Sequence, residues 1–348
     1  MTVAGVLMIR KILRLFWIWL RGTVNVAAMG LSRGRAAIRF RTNMVRQTYA
    51  GDIDLEQATK IAIFAHWDST GQIYRYVQYQ LQSLRDAGYT TVFVSNSPIL
   101  DESSINILKP LVGRVIWRHN IGYDFGAYKD AIASLGDLRR LHSLIIANDS
   151  TYGPFSSLSD LIERADVSGA DVYAITDSWE LRYHLQSYFM LFHVEVLQNK
   201  AFNEFWQNLT YVNNKQYVVR VYEVGLTKLL LDSRLRLKAL FPYDDLARLV
   251  VNQLNLVDTA SEAFKRLPKA EQEMYFVLQN SLSSGTPMNG SHFFWDKLLL
   301  DMRCPYIKRE LLAVNPMRIP GLIYWREHLA SVSDYDPEMI REHLQVIG

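Results

Sequence analysis

The chain has 348 residues, 49% hydrophobic and 21% charged, which is enough to bury a full core and too apolar for a disordered polypeptide. Its single cysteine, Cys304, excludes an intrachain disulfide, a thiolate zinc cluster and a Cys-x-x-Cys redox pair, and suits a reducing compartment. The net charge of +3 is unevenly divided: residues 1 to 50 hold nine basic side chains and no acidic one, which leaves the rest at −6 and argues against a nucleic-acid-binding face on the globular part.

From Val6 to Leu20 the text is mostly Leu, Ile, Phe, Trp and Met, interrupted by Arg10, Lys11 and Arg14. The unbroken apolar run, Leu15 to Leu20, is far shorter than the roughly 20 residues of a spanning helix. Wound at about 100° per residue, Arg10, Lys11, Arg14 and Arg21 share one arc of roughly 100°, opposite Phe16, Trp17, Trp19 and Leu20. That pattern predicts a helix lying in a membrane interface, with Arg33 to Arg46 attracted to anionic headgroups. Residues 1–50 are therefore expected to form a membrane-associating segment, touching the surface through residues 5–46. A helix docked on its own domain or on a partner competes with that reading; charges inside the apolar core speak against a cleaved signal peptide.

After Gly51 the pattern becomes regular. Residues 60 to 65 read as a buried strand ending at His66-Trp67-Asp68, and residues 71 to 87 as a helix closed by Gly88. Strands follow at 90–95, ending at Asn96, and at 113–117, leading into Arg118-His119-Asn120-Ile121-Gly122-Tyr123-Asp124 and a helix to Leu135. Residues 144 to 147 form the fourth strand, which stops on Asn148-Asp149-Ser150 before the Gly153-Pro154 turn. A helix at about 158–165 leads to the fifth strand, 171–175, ending at Thr176-Asp177-Ser178. Alternation of this kind implies a mostly parallel α/β sheet covered by helices on both faces, with all five strand ends on one rim. Ligands bind at such rims. An apolar run from 185 to 192 reads as a further strand, residues 218 to 232 as a helix with Glu223 near its start, and the text from Asp244 on as mostly helical. The expected division is a basic segment 1–50, a catalytic domain 58–243 and a helical extension 244–348 packed on it.

Several signatures are missing: no Gly-x-Gly-x-x-Gly follows the first strand, and there is no Gly-x-x-x-x-Gly-Lys loop, Gly-x-Ser-x-Gly elbow or His-Glu-x-x-His pair. What remains is a Rossmann-like sheet with acids and amides on its rim. Such a rim can bind a nucleotide sugar, with a divalent cation bridging the diphosphate to a strand-end carboxylate. Asp149 is the candidate metal ligand, for Mg2+ or Mn2+. A turn and helix cap would account for Asn148 to Ser150 equally well.

His66-Trp67-Asp68, Arg118-His119-Asn120-Ile121-Gly122-Tyr123-Asp124-Phe125-Gly126-Ala127-Tyr128, Asn148-Asp149-Ser150-x-x-Gly153-Pro154 and His184-Leu185-Gln186-Ser187-Tyr188-Phe189 occur in that order. With Glu223-Val224-Gly225-Leu226-Thr227 and Asn289-x-x-His292-Phe293-Phe294-Trp295, they resemble the rhamnan synthesis protein F family of bacterial polysaccharide rhamnosyltransferases, over about residues 58 to 315. The resemblance implies a GT-A-like fold and transfer of a deoxysugar, typically L-rhamnose from its dTDP form, onto a lipid-linked glycan at the cytoplasmic face of the membrane, beside other polysaccharide-synthesis enzymes. The usual Asp-x-Asp metal motif is reduced here to Asn148-Asp149-Ser150, so Asp149 alone would hold a metal, or none would be needed.

His66, Asp68, Asn96, Arg118, Asn120, Gly122, Asp124 and Asn148 are the expected donor-binding residues, and Gln186, Ser187 and Tyr188 the expected acceptor side. Asn120 and Gly122 also suit a tight turn, and Asp124 a helix start. An inverting transfer needs one base, for which Glu223 is favoured over Asp177. The competing readings are a catalytically inactive membrane-bound scaffold, a transferase of another sugar such as galactofuranose, and a metal-dependent phosphoesterase.

Overall fold

A computed structural model describes residue 30 and residues 44–347. The basic segment thus lies almost wholly outside the described residues, and no described helix is long and apolar enough to cross a membrane.

The centre is a mixed sheet. In chain order its strands are β1 (Val45–Ala50), β2 (Lys60–His66), β3 (Thr90–Ser95), β4 (Arg114–Arg118), β5 (Ser143–Asn148), β7 (Val172–Ser178), β9 (Phe189–His193) and β10 (Leu237–Phe241), with the short β8 (His184–Leu185) paired to β7. The spatial order is β1-β4-β3-β2-β5-β9-β7-β10. The pairs β4–β3, β3–β2, β2–β5 and β7–β10 are parallel; β1 runs antiparallel to β4, and β9 antiparallel to both β5 and β7. An antiparallel strand between two parallel blocks leaves β5 and β7 pointing the same way, so the ends of β2, β3, β4, β5 and β7 do share one rim. This is the mostly parallel α/β arrangement expected from the sequence. Val45–Ala50, assigned to the basic segment by composition, is instead the edge strand of the sheet.

Alternation along the strands explains both layers. Ala62 and Phe64 of β2 face one core with α1 (Arg75–Asp86), through Val77 and Leu81, and α4 (Leu158–Val167). Ile61, Ile63 and Ala65 face the other, against α3 (Tyr123–Leu135), α5 (Lys200–Asn208) and α6 (Val224–Asp232). Each fully buried Val, Leu, Ile or Phe among them contributes about 1.5–3 kcal/mol. α1 stops where Gly88 takes φ +82°; α2 (Glu102–Leu108) starts where the Asp101 carboxylate accepts from the Ser104 amide at 2.8 Å.

The last third is helical as expected, with α7 (Tyr243–Asn255), α8 (Lys269–Ser283), α9 (Arg309–Val314) and α10 (Glu338–Ile347). It also holds a strand the periodicity did not reveal, β11 (Ile307–Lys308), paired antiparallel with β6 (Thr151–Tyr152) just after the end of β5. Gly153 makes that approach possible: at φ +120° it passes so close to Pro305 that a Cβ would meet the carbonyl oxygen at 2.2 Å.

Gly126 and Gly225 separate two uses of helical glycine. A Cβ at Gly126 would sit 2.5 Å from the Ile121 carbonyl and 2.9 Å from Arg118 Nη2, atoms that are hydrogen-bonded to each other at 2.8 Å, whereas at Gly225 it meets nothing within 4 Å. Gly126→Ala is expected to lose about 1–2 kcal/mol of stability, overpacking outweighing helix propensity, and Gly225→Ala to gain roughly 0.5 kcal/mol. Urea unfolding of both variants checks the opposite signs.

Candidate active site

The end of β5 organises the rim. Asn148 closes β5 with both ends of its amide engaged: Oδ1 accepts from Ser150 N at 3.1 Å and Ser150 Oγ at 2.5 Å, and Nδ2 donates to Asp124 Oδ2 at 2.8 Å. Asp149 Oδ2 accepts from the Trp67 amide at 3.2 Å and from Arg309 Nη1 at 2.9 Å, with His66 Nε2 4.0 Å away. Asp124 lies in the first turn of α3, which begins after Gly122 at φ +87°, a left-handed position that glycine adopts without strain. Burial raises the Asp124 carboxyl to about 6, helped by the charges of Asp149 and Glu223 and opposed by the Asn148 hydrogen bond and Arg309.

Glu223 comes from the same helical layer as Asp124. It stands at the end of a π-helical stretch, Val218–Glu223, between helical residues Lys215–Tyr217 and Val224–Asp232, not at the helix start expected from sequence. Its Oε1 accepts from both the Ser187 amide and the Ser187 hydroxyl at 2.8 Å. A π-turn rotates the following side chains relative to a plain α-helix and is frequent at functional sites. Tyr188 is buried next to Ser187, its hydroxyl on Thr176 Oγ1 at 2.8 Å.

Two cations complete the cluster, and sequence reading missed both. β11 delivers Lys308, whose Nζ lies 3.7 Å from the Tyr188 ring centroid, and Arg309 follows, bonded to Asp149 and, at 3.0 Å, to Tyr76 Oη. Burial pushes Lys308 down to about 8, although Glu223 and Asp124 act to raise it. Their only sequence signal is a Lys-Arg pair after a short apolar run, which is common in any helical text.

Most of the other expected site residues have structural engagements. Arg118 is fully buried and spends its donors on Asp130 (2.5 Å), Asn96 Oδ1 (2.6 Å) and the Ile121 carbonyl (2.8 Å); Asn96 is held in that same network. These two tie β3 and β4 to α3 and are not free to meet a ligand. Asp68 Oδ1 accepts from Thr70 N, Thr70 Oγ1 and Gln72 N. Burial opposes ionisation there, but the Thr70 hydroxyl and the two amides outweigh it and hold the carboxyl below its usual range. Asp177 accepts from the Tyr243 amide at 2.7 Å and so caps α7, two strands away from β5. Gln186 Oε1 accepts from Thr176 Oγ1 at 2.6 Å. Asn120 lies partly exposed in the turn before Gly122. His66 is buried beside Asp149 with Nδ1 unpartnered among the described residues, and burial lowers its pKa.

Asp149 is a poor partner for a divalent cation in this arrangement. Its Oδ2 already receives a guanidinium and an amide, which leaves Oδ1 alone, and among the described residues no group of three His, Cys, Asp or Glu side chains is disposed to hold a metal. The cation position beside Asp149 is taken by Arg309.

Comparison with known proteins gives a match of residues 91–267 to the family model of rhamnan synthesis protein F. An uncharacterized protein, y4gN, of Sinorhizobium fredii is 36% identical over 155 residues, 43% of this chain and 40% of that protein's length. Virulence protein VirA of Vibrio anguillarum is 28% identical over 298 residues, 83% of this chain and 92% of the relative. Among solved structures, the apo WbbM bifunctional glycosyltransferase aligns at 12% identity with a TM-score of 0.33, over 84% of this chain and 53% of that one.

The raised Asp124 carboxyl makes a signed prediction. A carboxyl that binds its proton more tightly in the folded state than at its ordinary 3.8 destabilises the fold above pH 6, and the penalty fades as pH falls through 6 toward 3.8. Asp124→Asn is therefore expected to stabilise by about 3 kcal/mol at pH 7.5 and by little at pH 4, read from urea unfolding at the two pH values.

Proposed function

The chain belongs to the rhamnan synthesis protein F family, and from that premise we propose that it is an inverting glycosyltransferase of bacterial cell-surface polysaccharide synthesis, moving L-rhamnose from dTDP-L-rhamnose onto a lipid-linked glycan. The observation that supports this most is the convergence of Asp124, Asn148, Asp149 and Glu223, from two layers of the fold, at the carboxyl rim of the sheet. In open α/β sheets that rim is where ligands bind.

In the proposed reaction the acceptor hydroxyl oxygen attacks the anomeric carbon. The bond from that carbon to the diphosphate oxygen breaks, its electron pair leaving with the nucleoside diphosphate. The hydroxyl proton passes to Glu223, whose Oε1 is fixed by the Ser187 amide and hydroxyl. Asp124 and Asn148, bonded to each other, lie where they can orient sugar hydroxyls. His66 lines the donor side, and Tyr188 the acceptor side. The amphipathic segment within residues 5–46 would hold the enzyme at the cytoplasmic face of the membrane, where lipid-linked acceptors are found.

Purified protein incubated with radiolabelled dTDP-L-rhamnose and a lipid-linked acceptor is expected to transfer label, while UDP-galactofuranose and GDP-fucose are not used. Glu223→Gln is expected to lower the rate at least 100-fold with donor binding within about twofold of the parent, general-base catalysis contributing about 10²–10⁴. Unaltered turnover in Glu223→Gln would remove it from the role, and no donor binding by the parent would return the chain to the scaffold reading.

A further inference from the structure

Lys308 and Arg309 have binding capacity that the fold leaves unused. Arg309 Nη1 makes both bonds of the side chain, to Asp149 and Tyr76; among the described residues Nε and Nη2 make none. A guanidinium held by one nitrogen presents its Nε–Nη2 edge, the fork that matches two phosphate oxygens. Lys308 Nζ has no hydrogen bond among the described residues and rests on the Tyr188 ring, with burial pulling it down to about 8. Both side chains are partly exposed, 23% for Arg309. An ammonium and a guanidinium edge, both partly desolvated and both lacking acceptors, are the two halves of an anion site.

Their placement is rigid. β11 is registered on β6, with Lys308 opposite Thr151, and the Arg309 amide donates to the Ser150 carbonyl at 2.8 Å. Pro305 is fixed by its carbonyl, which accepts from the Phe155 amide at 2.9 Å. Behind Arg309, Tyr76 packs edge-on to Tyr152 at 5.1 Å, and Tyr152 Oη is bonded to His343 Nδ1 of α10 at 2.7 Å. The two cations are thus set beside the Asn148-Asp149-Ser150 turn before any ligand arrives.

We propose that Lys308 and Arg309 bind the diphosphate of the nucleotide-sugar donor and supply the positive charge that the departing nucleoside diphosphate requires, so that transfer proceeds without a divalent cation. The proposal rests on the transferase reading above. It follows from the occupation of Asp149: a carboxylate already shared by a guanidinium and a backbone amide has its charge answered by the protein itself. As the bond to the anomeric carbon breaks, charge grows on the phosphate oxygen that receives the electron pair, and two fixed cations answer it without reorganising.

The test uses the full-length protein after exhaustive EDTA treatment, with dTDP, dTDP-L-rhamnose and thymidine as probes in titration calorimetry, and transfer assayed in EDTA, Mg2+ and Mn2+. The expected result is dTDP affinity and transfer rate within about twofold in all three media. Lys308→Gln and Arg309→Gln are each expected to weaken dTDP binding at least tenfold, leave thymidine binding unchanged and lower transfer further than binding; Lys308→Arg restores most of the loss. Arg309→Gln also strips Asp149 of its partner, so Lys308→Gln, which breaks no hydrogen bond, carries the result if the former does not fold. A requirement for divalent cation in dTDP binding or transfer, or unchanged dTDP affinity in Lys308→Gln, overturns the proposal while the transferase reading survives. If no nucleotide of a dTDP, UDP, GDP and CDP panel binds with or without metal, both fall together.

Discussion

The contact on which the rim depends is the one between Arg309 and Asp149, 160 residues apart in the chain and 2.9 Å apart in space. Asp124 is raised first by burial and then by the charges of Asp149 and Glu223. Carboxylates gathered in a partly desolvated cleft repel, and each would protonate or draw apart if nothing answered it. Arg309 and Lys308 are that answer. Removing one partner of such a pair leaves an uncompensated buried charge, typically 3–5 kcal/mol. Docking of the carboxy-terminal part and the geometry of the strand ends are therefore one problem, not two.

Aromatic packing secures the docking. Tyr76 of α1, Tyr152 of β6 and His343 of α10 meet with ring centroids 4.7 to 5.8 Å apart, and burial holds His343 down to about 4, so that it stays neutral. A neutral imidazole can accept from the Tyr152 hydroxyl without adding a third cation to the cluster. On the other face the π-helical stretch sets Glu223 against Ser187, in the short link between β8 and β9. The antiparallel β9 makes that link possible, since it starts at the rim between the ends of β5 and β7 and runs back through the sheet.

The strands that end on the rim were legible because periodicity is local: 90–95 is a strand in both readings, and the runs at 60, 144 and 172 differ only at their ends. So were Asp124, Asn148, Asp149 and Glu223, each a polar residue next to a strand end or on an apolar helix. What stayed hidden depends on distance along the chain. β11 is two residues long and carries no pattern of its own; only pairing with Thr151–Tyr152 makes it a strand, and only that register brings Lys308 and Arg309 to the site. Arg118 and Asn96 went the other way. Polar residues at a rim look like ligand contacts in sequence, whereas here they satisfy each other and Asp130 inside the protein.

That contrast gives a rule for sorting the polar residues of this rim. Arg118, Asn96, Asp130, Asp68 and Asp177 have their hydrogen bonds fixed by the fold: an ion-pair network, a loop closure and a helix cap. A ligand gains nothing from a group whose partners are already optimal, because each new bond replaces an old one of equal strength. Lys308 and the outer edge of Arg309 are different: desolvated in part, held in place by strand register, and short of acceptors. Their desolvation cost is already met by folding, so an anion that reaches them recovers the full interaction. By this reasoning the proposed capacity to bind a diphosphate lies in the segment that composition marked as a helical extension, while Asp149 of the sheet domain holds Arg309 in position.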